Sequence, residues 1–183
     1  MPGVILSLAL FVYLGVGGWP ALDHLSGPAT ESRWIDLARG ISHAGDTFAF
    51  LIAGLYAIWL FSKNRRFLPR FLLMLAGQHL LMSASKTFFH TVRPALEHQV
   101  GGYAYPSGHT LMAGCLYGYL ARQTAYGSLR LLLRLLPWMV AWSRVALGHH
   151  WLRDVLGALI LGSVWVDLCL AGGESSTAEN IPA

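Results

Sequence analysis

Three polar clusters interrupt an apolar chain, and together they hold the residue types that phosphoryl chemistry requires. The first contains Lys86 and Arg93-Pro94, the second is Pro106-Ser107-Gly108-His109, and the third is Ser143-Arg144 followed by His150 and Asp154. Lys86, Arg93 and Arg144 suit a bound phosphate, the arginines as planar forks and the lysine as a compact charge. One histidine can attack phosphorus while another supplies a proton to the leaving oxygen. The spacing of His150 and Asp154 predicts one helical face, on which the carboxylate holds one imidazole N–H and leaves the other nitrogen nucleophilic. A salt-bridged histidine at a helix start is the plainer use of the same pair. Ser107 and Gly108 stand just before an apolar run, so backbone N–H groups at a helix N-terminus face any anion held there. The same geometry also serves a simple turn with Ser107 or Thr110 as N-cap. Lys86 and Arg93 fit the role of interfacial anchors equally well. His149, adjacent to His150, points elsewhere on a helix and reads as a packing or supporting group.

The elements that must position these residues follow from composition. Of 183 residues, 55% are apolar and 12% charged, and the mean hydropathy is +0.49. That balance excludes an ordinary soluble domain. Apolar runs at 4–19, 47–61, 67–85, 110–126, 129–147 and 155–171 approach the roughly 20 residues that a helical span needs. The expected fold is all-α, a polytopic membrane helix bundle with six transmembrane helices. A cleaved signal peptide is the rival reading of the first run, weakened because no lysine or arginine precedes it. Trp34, Leu37, Ala38 and Ile41 recur at helical spacing opposite Arg33, Asp36 and Arg39, which predicts a short amphipathic interfacial helix serving as connector or lid. Gln78 and His79 are expected to face other helices, Gly114 and Gly118 to allow a close helix contact, and Pro137 to kink its span.

The domain is expected to cover residues 1–171, with 172–183 a disordered tail. The formal charge of +4 is spread over short loops without a basic face, which argues against nucleic acid as a partner. Cys115 and Cys169 form no CxxC pair and read as packed thiols. Lys63, Arg65, Arg66, Arg70, Arg122, Arg130 and Arg134 concentrate in two loops, which places those loops in the cytoplasm by the positive-inside rule. Both termini are then cytoplasmic, and all three polar clusters meet on the outer face.

At these positions the chain resembles the type 2 phosphatidic acid phosphatase (PAP2) superfamily. The resemblance rests on a lysine six residues before Arg-Pro, then Pro-Ser-Gly-His, then Ser-Arg followed by a histidine and an aspartate at the spacing of His150 and Asp154. It implies that His150 is the nucleophile, oriented by Asp154, and that His109 is the general acid and then the general base. It also implies that Lys86, Arg93, Arg144, Ser107 and Gly108 hold the phosphate oxygens, with no metal and no cofactor. The implied partner is a phosphorylated lipid in the bilayer of a bacterial inner (plasma) membrane, with the site facing the periplasm or the outside. Candidate substrates are undecaprenyl pyrophosphate, phosphatidylglycerol phosphate, phosphatidic acid and lipid A phosphates. A lipid-to-lipid phosphotransferase would use the same site. The apolar spans speak against the soluble vanadate haloperoxidases that share these motifs, and the complete motif set speaks against a non-enzymatic lipid-binding protein.

Overall fold

The computed structural model describes residues 2–17, 19–94 and 101–171, so the expectation of a disordered tail at 172–183 lies outside the described residues. Among the described residues eight α-helices follow one another: α1 Pro2–Val16, α2 Pro20–His24, α3 Ser32–Ser42, α4 Thr47–Lys63, α5 Leu68–Phe89, α6 Gly108–Gln123, α7 Gly127–Ala146 and α8 Leu152–Ala171. Single 3-10 turns at His43–Gly45 and Arg65–Phe67 join α3 to α4 and α4 to α5. No strand occurs among the described residues.

Helix boundaries follow local chemistry. Asp46 caps α4 by accepting the Thr47 N–H. Pro69 sits in the first turn of α5, and His90 closes that helix in a left-handed conformation (φ 49°). Asp154, in the first turn of α8, reaches back to accept the Trp151 N–H at 2.8 Å. That bond satisfies a donor at the helix start, in the manner of a capping box.

Helix α6 forms the centre of the bundle, with ten residues from Thr110 to Ala121 buried. Helices α7 and α8 flank it, α1 lies along α8, and α3 packs on α7. At the α6–α8 crossing, a Cβ on Gly162 would stand 3.4 Å from the Gly114 carbonyl carbon. Gly114 therefore sits at a close helix contact, as small residues do where membrane helices meet. Gly118 does not, since its nearest neighbour is the Arg122 guanidinium of its own helix.

The outer surface is that of a membrane protein. Helix α4 buries Ala49, Ala53 and Leu60, while Phe48, Phe50, Leu51, Leu55, Ile58 and Trp59 stay exposed. Apart from Leu60, small residues face the bundle and large apolar ones face outward, the reverse of a water-soluble helix. Among the described residues three helical stretches are long and apolar enough to cross a bilayer, at Ser32–Lys63, Arg65–Phe89 and Leu152–Ala171, and α1 is a shorter apolar helix.

Several expectations change. His79 is exposed on α5 while Gln78 is buried, so only one of the pair turns inward. His150 is not helical: it occupies the bend before α8, and its contact with Asp154 spans that bend.

Candidate active site

All three clusters converge at one end of α5, α6 and α8. Lys86, in the last turn of α5, donates from Nζ to the Tyr103 carbonyl. Arg93 lies in the segment after α5 and donates from Nε to the Gly102 carbonyl (3.0 Å) and from Nη1 to the His149 carbonyl (2.9 Å). The positive φ of Gly102 (82°) and Gly148 (68°) turns both segments back toward Arg93. Trp151 donates its indole N–H to the Val92 carbonyl at 2.9 Å, a second tie between the first and third clusters.

The Ser107 N–H donates to the Asp154 carbonyl at 3.1 Å, which joins the second cluster to the third. That donor is therefore engaged. The Gly108 and His109 N–H groups remain at the α6 N-terminus, where no helical acceptor precedes them. Ser107 itself is fully buried, and its Oγ accepts from the Thr110 hydroxyl at 3.2 Å. A Cβ on Gly108 would stand 2.8 Å from the Met82 sulfur, so a side chain there would have to displace the flexible Met82 thioether. Just upstream, Tyr105 is buried against Phe11 and Phe89 and donates its hydroxyl to the Phe11 carbonyl at 2.6 Å, fixing the approach to the turn.

The protonation of His150 follows from its neighbours. Nε2 lies 3.2 Å from Arg93 Nη1, and a guanidinium can only donate, so Nε2 carries the lone pair. Nδ1 lies 3.3 Å from Asp154 Oδ2 and carries the proton. Burial first, and then the charges of Arg93, Arg144, Lys86 and His109, hold the imidazole well below its ordinary pKa, so it is neutral at neutral pH. A buried, neutral imidazole of fixed tautomer has one nucleophilic atom, Nε2.

Arg144 is buried in α7 and donates from Nη1 to Ser42 Oγ (2.6 Å) and from Nη2 to His149 Nδ1 (2.7 Å). His149 is held down to about 4 by burial and by Arg144 and Arg93, which keeps its Nδ1 an acceptor. His149 is thus part of the frame around Arg144 rather than a packing group. His109 stands in the first turn of α6 with Nε2 3.1 Å from Asp46 Oδ2. All eight residues singled out from the sequence lie in this one region. Asp46 and Ser42 join them unannounced, since the segment before α4 carries no motif and lies far from 109 and 144 in sequence.

Residues 67–174, which contain all three clusters, match the PAP2 superfamily. The chain belongs to that superfamily. Phosphatidylglycerophosphatase B of Bacillus subtilis (strain 168) is 27% identical over 144 residues, 70% of each chain. The crystal structure of a transmembrane PAP2 type phosphatidylglycerolphosphate phosphatase from Bacillus subtilis superposes with a TM-score of 0.83 at 22% identity, over 98% of this chain and 100% of that one. LpxE of Aquifex aeolicus superposes at 0.59 and 21% identity, over 90% and 94% of the two chains. Those two likenesses show a shared fold. The protein is a membrane-bound PAP2-type phosphatase, and in this PAP2 chain Arg153 is buried and tied to the Gly17 carbonyl and to Asp23.

Proposed function

We propose that this protein hydrolyses a phosphomonoester or pyrophosphate of a membrane lipid through a phosphohistidine at His150. The observation that carries the reading is the pair of contacts on His150, Arg93 at Nε2 and Asp154 at Nδ1, which leaves one nitrogen with a lone pair beside a cation. A substrate phosphate would take that position in place of the Arg93–His150 contact. Lys86, Arg93 and Arg144, with the Gly108 N–H and the Ser107 hydroxyl, would bind its non-bridging oxygens and stabilise the charge that builds in the transition state.

In the first step Nε2 bonds to phosphorus as the bond to the leaving oxygen breaks, and His109 gives that oxygen a proton. In the second step His109 takes a proton from water, the water oxygen bonds to phosphorus and the P–N bond breaks. Phosphate leaves, and both histidines return to their starting state.

We further propose that α1 and α4 to α8 make six crossings with the site on the non-cytoplasmic face, that residues 1–171 are one functional domain, and that the substrate headgroup reaches it from the outer leaflet. The similarity to phosphatidylglycerophosphatase B supports a phospholipid monoester as substrate. Phosphate release by purified protein from phosphatidylglycerol phosphate, phosphatidic acid and undecaprenyl pyrophosphate tests the reading. Release from at least one of them, abolished in His150→Ala, is expected, and inactivity on all of them would contradict it.

A further inference from the structure

The turn between α3 and α4 carries none of the three motifs, yet it reaches the site at Ser42 and Asp46 and α6 at Ala44. Ser42 accepts from Arg144, the Ala44 carbonyl accepts from the Tyr117 hydroxyl at 2.7 Å, and Asp46 stands 3.1 Å from His109. Gly45 permits this approach: a Cβ there would meet the His109 carbonyl oxygen at 2.9 Å and a Val140 methyl at 2.7 Å. The turn is therefore built onto the first turn of α6 rather than passing over it.

We propose that Asp46 is the positioning residue for His109, holding Nε2–H on its carboxylate, leaving Nδ1 as the nitrogen that exchanges a proton, and stabilising the imidazolium. This rests on the reading of His109 as general acid. A carboxylate can only accept, so the 3.1 Å contact assigns the Nε2 proton to His109. The proton on Nδ1 then passes to the leaving oxygen as His150 bonds to phosphorus, and a proton from water returns to Nδ1 in hydrolysis.

The surrounding charges show why a carboxylate is needed. Burial first, and then the charges of Arg144 and Arg93, oppose a positive His109. Asp154 is engaged with His150 and the Trp151 N–H. Among the described residues Asp46 is the one acidic group in hydrogen-bond contact with His109, and its other oxygen lies 3.5 Å from the His43 ring. Asp46 offsets part of that opposition, so without its charge the imidazolium would be disfavoured further, leaving more of the neutral imidazole, the weaker acid for an alkoxide leaving group.

The test uses full-length protein in detergent with Asp46→Asn, Asp46→Ser and His109→Ala. Asn and Ser retain an acceptor for the Thr47 N–H, so the cap of α4 persists in both. Asn removes the charge, and the shorter Ser also removes the contact. Dependence of kcat/KM on pH is measured for an alkyl phosphate and an aryl phosphate amphiphile. A general acid must be protonated, so removing the carboxylate should move the basic limb to lower pH. Both Asp46 variants should lose about tenfold to a hundredfold on the alkyl substrate and far less on the aryl one. Equal losses on the two substrates with an unmoved basic limb, while His109→Ala keeps its leaving-group dependence, would overturn the role of Asp46 alone. Equal losses for His109→Ala itself would overturn the general-acid reading and this proposal with it. Failure of both Asp46 variants to yield folded protein would make the residue a structural cap and would also overturn it.

Discussion

The two ends of the site solve one problem in opposite surroundings. At the start of α8, His150 and Asp154 form an imidazole–carboxylate pair whose side chains are 2% and 0% exposed. At the start of α6, His109 and Asp46 form a second such pair, 32% and 36% exposed. The buried pair cannot exchange protons freely with solvent, and burial keeps its imidazole neutral, as a nucleophile requires. The half-exposed pair is reachable by water, and an acid–base group that must return its proton each turnover needs that access. On the proposed reading, the difference in exposure, more than the residue types, separates nucleophile from proton shuttle.

Removing the nucleophile is the most severe way to break this comparison. His150→Ala should lower kcat by about 10⁴-fold or more while phosphate affinity stays within a few-fold, because the three cations remain. Equilibrium binding of phosphate or a non-hydrolysable phosphonate lipid, together with turnover, checks both halves. Asp154→Asn comes next. It keeps a side chain able to accept from Trp151 and removes the charge that orients His150, so kcat should fall by about 10²- to 10⁴-fold with a small change in melting temperature.

The pH profile sharpens the comparison with a smaller effect. Protonation at Nε2 abolishes the lone pair, and the His150 pKa is held down by burial and then by Arg93. The acid limb of kcat/KM should therefore lie below the ordinary histidine value of about 6.5. Arg93→Gln removes one of the cations that hold it there, so that limb should move to higher pH in addition to the loss of phosphate binding. A limb that stays in place would separate Arg93 from His150. The smallest effect is expected on the packing that supports the buried pair. Gly157, one turn after Asp154 in α8, has no room for a Cβ against the Tyr105 ring. Gly157→Ala should cost about 1 to 3 kcal/mol by overpacking, read as a lower melting temperature, with activity reduced less than in any variant above.

The buried pair was legible in the sequence and the exposed one was only half so. Four-residue spacing announces His150 and Asp154 even though the contact forms across a bend rather than along a helix, because a cap and a helical turn bring the same atoms together. The cations and the Ser107-Gly108-His109 turn are likewise local patterns. Asp46 was invisible because its contact with His109 joins residues 63 apart, through a glycine whose role depends on a neighbour from α6 and another from α7. Ser42 on Arg144 spans 102 positions, and no spacing rule reaches that far. The apolar runs marked the long helices well. His79 departs from its expected inward placement because polarity alone does not say which side of a helix a residue occupies.

The central claim is that Nε2 of His150 is the atom that takes the phosphoryl group. Rapid quench of the enzyme with phosphorus-labelled lipid under alkaline conditions, followed by peptide mapping and determination of the phosphohistidine isomer, tests it directly. The account predicts acid-labile label on the peptide containing His150, carried on Nε2. Label on Nδ1, on His109 or His149, or no covalent label during turnover would contradict it.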